Sequence, residues 1–275
     1  MPATGQFRFS IDRGGTFTDV YAEVPIKQGK PGFRTMKLLS EDPANYPDAP
    51  REGIRRILAE FGIPLKDGLL DSSRIEWIRM GTTVATNALL ERKGARTALV
   101  TTKGFGDILQ IGNQDRPDLF DLKIEKPDLL YEEVIEVEER LQLMKDDAET
   151  VRQEKLGRKI IMGSTGERFA VLAAPDLAAL EPRLQAVLDQ GISSVAIIFA
   201  HAYGCPQHEQ AVAELARKLD FQQISLSSEV MPAVRLVPRG DTTLVDAYLT
   251  PHIRSYLDSF RSGFAGGLPD DKLLF

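Results

Sequence analysis

The stretch from Phe9 to Val24, FSIDRGGTFTDVYAEV, crowds Asp12, Gly14, Gly15, Thr16, Thr18 and Asp19 around a single turn. These residue types suit an anion. Paired glycines let the backbone turn tightly and approach a ligand closely, their N–H groups can converge on it, and threonine hydroxyls add donors. Asp12, where the first strand ends, is placed to hold a magnesium ion beside a bound phosphate. Water would mediate that contact, because magnesium keeps much of its hydration shell. Asp19 lies across the turn and would orient water or act as a second ligand. A plain β-hairpin explains Gly-Gly by itself. It does not explain carboxylates between apolar flanks, which are costly unless used. The expectation is therefore phosphate binding by Gly14, Gly15, Thr16 and Thr18, with Asp12 and Asp19 as catalytic carboxylates. The phosphate loop ending in Gly-Lys-Ser/Thr and the dinucleotide loop with three spaced glycines both lead from a strand into a helix. Here the turn leads into a second strand, so it is neither.

A second string, GTTVATNALLERKG from Gly81 to Gly94, reads as a turn and a helix. Gly81, Thr82 and Thr83 lie between a strand end and a helix start, where anions and polar ligand groups are attracted. Asn87 follows about one turn on. These four are expected on the substrate or nucleotide side, with Thr82 or Thr83 facing the ligand. Simple threonine capping of the helix, worth about 1 kcal/mol, is an equal reading, and the two are compatible. Other candidates carry less. Cys205 has no identified base partner. His201, His208 and His252 lack metal-ligand spacing. Trp77 is simplest as core, and Arg239 in VPRGDTT as structure.

The elements that must position these groups follow from periodicity. Residues 7–12 and 16–24 read as strands and GFRTMKLLS as a third. In DAPREGIRRILAEFG, Ile54, Ile57, Leu58 and Phe61 share one helical face. RIEWIRM is a strand, and with GTTVATNALLERKG and ARTALVTTKG it suggests a strand–helix–strand crossover in a mainly parallel sheet. GFGDILQIGNQDRPDLFDL suggests one short helix and a loop, and EEVIEVEERL a strand with one solvated face. Residues 142–168, rich in charge and glycine, read as a surface excursion joining candidate lobes at 1–141 and 169–262. Beyond it come a helix with Leu177, Leu180, Leu184, Val187 and Leu188 on one stripe, and the buried strand SSVAIIFA. A helix with Ala211, Val212, Leu215 and Leu219 inward, the strand in FQQISLSSEV and a long amphipathic helix through Pro251 complete the series. DDKLLF looks like a strand without an evident partner.

Bulk properties narrow the class. The chain has 275 residues, 43% hydrophobic and 27% charged, as in an ordinary globular protein with room for a sizeable core. A net charge of −6 argues against nucleic acid or an anionic membrane as the main partner. A single cysteine excludes a disulfide within the chain and fits a reducing, cytoplasmic setting. No apolar run reaches the roughly 20 residues of a membrane span.

Four segments, IDRGGTFTDV, LLSEDPANYPDAPREGIRRIL, IRMGTTVATNALLERKGARTALVTTKGFGDILQIGNQ and VRLVPRGDTTLVDAYLTP, resemble the N-terminal region of the hydantoinase/oxoprolinase family. Arg13 and SEDPANY favour its oxoprolinase branch over the hydantoinase branch. The resemblance implies an α/β fold: the N-terminal lobe of an actin-like, ribonuclease H-like ATPase with an additional α/β lobe, incomplete relative to the family. It implies ATP and magnesium as cofactors and a small cyclic amide as substrate. The activity implied is cytosolic hydrolysis of 5-oxoproline to glutamate within glutathione metabolism. Phosphorylating the lactam oxygen turns a poor electrophile into one with a good leaving group, after which the ring carbon accepts water. Family members run far beyond this length, so the chain reads as a fragment or truncation. Its partners would be the second ATPase lobe and the hydrolase region, and it would not be active alone. A homo-oligomer is compatible with this reading. A hydantoinase-type cyclic amidase, or a catalytically silent homologue acting as a binding module, are the alternatives.

Overall fold

The computed structural model describes residues 6–27, 30–113, 120 and 127–275. They form two compact units, Met1–Lys93 with His252–Phe275, and Gly94–Pro251.

The first unit is built on β1 (Phe7–Arg13), β2 (Phe17–Lys27), β3 (Lys30–Leu39), α1 (Ala49–Glu60), β4 (Ile75–Thr82) and α2 (Val84–Leu90). Phe7, Phe9 and Ile11 alternate with Arg8, Ser10 and Asp12, so β1 has one buried and one open face. Strands β1, β2 and β3 form an antiparallel meander, and β4 runs parallel to β1. The buried face packs against Ile54, Ile57 and Leu58 of α1 and against Phe260 and Phe264. Asp48 caps α1, accepting from the Arg51 N–H at 2.8 Å.

The second unit contains β5 (Thr97–Thr102), α3 (Ile108–Ile111), β6 (Glu133–Val137), β7 (Arg140–Leu143), α4 (Asp147–Lys155), β8 (Ile160–Met162) and β9 (Arg168–Ala173). It continues through α5 (Leu177–Asp189), β10 (Ser194–Ile198), α6 (Gln207–Lys218), β11 (Gln223–Leu226) and α7 (Ser227–Val230) into α8 (Leu236–Arg261), within which the chain returns to the first unit. The strand order β11-β10-β5-β6 makes an all-parallel sheet. Strands β5 and β10 are buried at every position. Both faces are covered, one by α5 and α6 and the other by α3 and α8, so β10 carries the continuous apolar run of residues 195–198 and β5 an apolar centre, residues 98–100, between buried threonines. Gly94 allows the Tyr248 ring to lie against the backbone: a Cβ there would sit 2.1 Å from ring carbons. Gly94→Ala is expected to destabilise this unit by about 1–3 kcal/mol through overpacking, read as a lower denaturant midpoint.

Three expectations change. First, β4, α2 and β5 are not a crossover unit, because β4 and β5 belong to different sheets. Second, residues 142–168 are folded: α4 is capped by Asp146, which accepts from the Glu149 N–H at 2.7 Å, and β8 pairs with β9. The compact units divide at Lys93/Gly94 and Pro251/His252, not within 142–168. Third, the strand in DDKLLF, β12 (Leu273–Leu274), has a partner, since it runs parallel to β4. The first sheet is therefore ordered β3-β2-β1-β4-β12. The loop expected after α3 falls largely outside the described residues.

Candidate functional site

The register of three strands assembles the site. Asp12 pairs with Asp19 on β2 and with Gly81 on β4, and Asp19 pairs in turn with Lys37 on β3. Cross-strand partners share a face, so Asp12, Asp19, Lys37 and Gly81 stand together on the open side of the sheet. They line a cleft of about 780 Å³ with Ser10, Arg79 and the apolar Tyr21, Met36 and Met80. Lys37 Nζ bonds both Asp19 oxygens, at 2.8 and 2.9 Å. Asp12 is exposed and, among the described residues, has no hydrogen-bond or ion-pair partner. It is the carboxylate available to a cation, whereas Asp19 is already neutralised.

The turn is narrower than its composition suggested. Gly14 N–H donates to the Phe17 carbonyl at 3.0 Å and is spent on closing the loop. The Gly15 and Thr16 N–H groups and the Thr16 hydroxyl have no partner among the described residues, and both residues are exposed. Neither glycine adopts a left-handed φ. They are needed for close approach: a Cβ on Gly14 would lie 3.0 Å from the Phe17 carbonyl, and one on Gly15 would lie 3.1 Å from Asn87 Nδ2. Asn87 is thereby brought against the turn from α2.

Thr18 does not face the cleft. It is fully buried, on the same side as Val20 and Ala22. Ser40, which the sequence reading passed over, donates to the Gly14 carbonyl at 2.7 Å. With that proton committed, the Thr18 hydroxyl is the donor in its 3.0 Å bond to Ser40 Oγ. The Ser40 N–H donates to the Thr16 carbonyl at 2.9 Å. Ser40 thus fastens the turn from behind. Ser40→Ala is expected to cost about 1–3 kcal/mol in urea unfolding, by stranding a buried hydroxyl and a carbonyl.

Thr82 and Thr83 also support the turn. The Thr83 N–H and Thr82 hydroxyl donate to the Arg13 carbonyl, at 3.1 and 3.2 Å. Thr82 Oγ1 accepts from the Val84 N–H at 3.2 Å, while Thr83, the N-cap, makes no side-chain capping bond. With only 7 residues, α2 offers too little helix for its terminus to hold an anion by itself. Arg13 turns to the opposite face, its guanidinium 4.8 Å from the centre of the Tyr256 ring.

The remaining candidates are structural. Burial pushes the Cys205 thiol up to about 11, unsuited to a nucleophile. His208 Nδ1 meets buried Glu139 at 2.8 Å. His201 packs on Phe169 and Tyr203, and burial lowers its basicity. Trp77 is half-buried beneath the Arg79 guanidinium, at 4.3 Å, and is not a core residue. Arg239 is fully buried and bonds Ser227 and the Phe199 and Ala200 carbonyls. Among the described residues no group of three or more His, Cys, Asp or Glu could hold a metal ion. A hydrated magnesium beside phosphate oxygens needs fewer protein ligands than that. Among the described residues no helix is long and apolar enough to cross a membrane.

Comparison with known proteins agrees over nearly the whole chain. Residues 8–220 match the family model for the hydantoinase/oxoprolinase N-terminal region. The chain is 53% identical over 274 residues to 5-oxoprolinase 1 of Arabidopsis thaliana, covering 98% of this chain and 21% of that protein. It is 47% identical over 271 residues to the 5-oxoprolinase of Dictyostelium discoideum, again covering 98% and 21%. The crystal structure of ATP-dependent caprolactamase from Pseudomonas jessenii superposes with a TM-score of 0.66 at 25% identity, over 95% of this chain and 34% of that one. The chain therefore spans about a fifth of the length of the curated relatives it matches (21% in each case).

Proposed function

This chain belongs to the hydantoinase/oxoprolinase family as its N-terminal region, and from that premise we propose that it forms one wall of the nucleotide site of an ATP-dependent 5-oxoprolinase. The observation that carries the proposal is the pairing of unpartnered Asp12 with Gly81 beside a turn whose Gly15 and Thr16 donors are free. Asp12 fits a magnesium ion held through water, and the absence of a side chain at Gly81 leaves space beside it: a Cβ there would stand 3.9 Å from Asp12 Oδ1. Bound magnesium-ATP would supply the phosphoryl group that makes the lactam oxygen a leaving group.

The residues of this chain have distinct tasks. Gly15 N–H, Thr16 N–H and the Thr16 hydroxyl point donors at the phosphate charge, held ready by Ser40 and by Thr82 and Thr83 through the Arg13 carbonyl. Preorganised donors cost no rearrangement when charge moves, which is why a fastened turn matters. Asn87 bounds the turn on the α2 side. Asp19 is locked to Lys37 and sets the charge of the cleft without needing to touch a metal. Thr18 is a support of the turn, not a phosphate ligand.

The substrate reading follows the oxoprolinase relatives, and a cytoplasmic setting is the one that a single cysteine fits. The test is to add 5-oxoproline to the full-length polypeptide with magnesium-ATP and follow ADP and glutamate together. Coupled appearance of both supports the proposal. ADP formation with hydantoin and not 5-oxoproline would move the chain to the hydantoinase branch, and no ADP with either would mark a silent homologue.

A further inference from the structure

On the open face of the first sheet, cations are paired with carboxylates one by one. Arg8 meets Glu23 at 3.2 Å and Glu76 at 2.9 Å. Lys37 meets Asp19 at 2.8 Å. Arg79 is the exception inside the cleft. Its guanidinium lies over the Trp77 ring at 4.3 Å, and among the described residues it has no carboxylate partner. Stacking fixes the plane of the guanidinium and leaves its N–H edge open, the arrangement that suits a bidentate carboxylate.

Position supports the same conclusion. Arg79 pairs with Ser10, and Gly81 pairs with Asp12, so the two pairs are one strand repeat apart on the same face. That repeat is about 7 Å, which a small ring bearing a carboxylate can bridge with help from the reach of the arginine. Tyr21, the partner of Ser10 on β2, lends the same face of the cleft an apolar surface for a ring.

We infer that Arg79 determines specificity by receiving the carboxylate of an anionic cyclic amide, so that the ring amide is delivered toward the Asp12–Gly81 end. This rests on the nucleotide-site reading above. The cation's other available partner is a phosphate of the nucleotide, and the experiment separates the two.

Full-length polypeptides carrying Arg79, Arg79→Gln and Arg79→Lys would be compared for ADP formation with 5-oxoproline and with 2-pyrrolidinone, the same ring lacking the carboxylate. 2-Pyrrolidinone would be scored as substrate or as competing inhibitor. Arg79→Gln is expected to reduce the preference for 5-oxoproline by about 30-fold or more, chiefly through KM. Arg79→Lys should keep an intermediate preference, since it retains charge without the planar fork. An unchanged preference overturns the inference. So does a raised KM for ATP with the preference intact, which would assign Arg79 to the phosphates. A parent polypeptide that forms no ADP with either lactam overturns the nucleotide-site reading itself, and is distinct from both.

Discussion

Asp12→Ala in the full-length polypeptide is expected to lower 5-oxoproline-dependent ATP cleavage by about 10³-fold or more while leaving the fold intact. The loss follows from position. Asp12 is the exposed, unpartnered carboxylate at the β1 end, beside the free donors of Gly15 and Thr16. Intact folding follows from the same facts, since no hydrogen bond or ion pair of the described residues is broken by removing it. Asp19→Ala serves as the contrast. It releases Lys37 into the cleft but removes a group already neutralised at 2.8 Å, so its effect on turnover should be smaller. ADP release and circular dichroism of the two variants check this. Retained turnover in Asp12→Ala would remove Asp12 from the mechanism, and equal losses would restore Asp19 as its equal.

Glu209→Ala is expected to produce the largest loss of stability, about 3–5 kcal/mol, by leaving a buried arginine without its countercharge. Glu209 and Arg239 are both fully buried, 3.8 Å apart. Glu209 accepts from the Phe199 N–H at 2.9 Å, the Ser227 hydroxyl at 2.5 Å, and the N–H and hydroxyl of Ser228 at 2.9 and 2.7 Å. Burial pushes the Glu209 carboxyl up and the Arg239 guanidinium down from their ordinary values, and these donors and the facing charge oppose it. The network ties the ends of β10 and β11 to the first turn of α8. Denaturant unfolding followed by circular dichroism, with hydrogen exchange at β10 and β11, measures the cost. A loss under about 1 kcal/mol would mean that Arg239 finds water or another partner.

What could be read from the residues was the local pattern. Alternation located β1, β2 and β4, and helical spacing located α1 and α5, because each buries one face. The same alternation held the answer for Thr18, which falls in step with Val20 and Ala22 and so belongs to the core. Residue type drew attention to its hydroxyl and away from its phase. The crossover misreading arose because strand, helix and strand in sequence do not reveal which sheet each strand joins. Pairings such as β7 with β9, and β12 with β4, are set by contacts distant in sequence and leave no local mark. Charge hid two features that spacing could have shown. Asp146 and Glu149 form an Asp-x-x-Glu helix start within a stretch read as surface. Glu209 precedes Val212 and Ala213 by one helical turn, on the buried side of α6.

For the candidate site, the gathering of Asp12, Gly15 and Thr16 at one open turn was legible from the hairpin's composition, whereas Gly14, expected to bind phosphate, spends its N–H on closing the turn. Ser40 and Arg79 were not legible, since each acquires its role from strand register. Ser40 comes to the turn through β3, and Arg79 to the cleft through β4.

The central claim is that the Asp12–Gly81 face holds the metal–nucleotide phosphates. Substituting iron(II) for magnesium in the full-length polypeptide, with ATP, ascorbate and peroxide, would cut the backbone wherever the metal sits. Mass spectrometry of the fragments locates the cuts. The account predicts ATP-dependent cleavage within 12–16 and at 81–83, lost in Asp12→Ala. ATP-dependent cleavage that spares both segments, or cleavage there that is indifferent to Asp12→Ala, would contradict it.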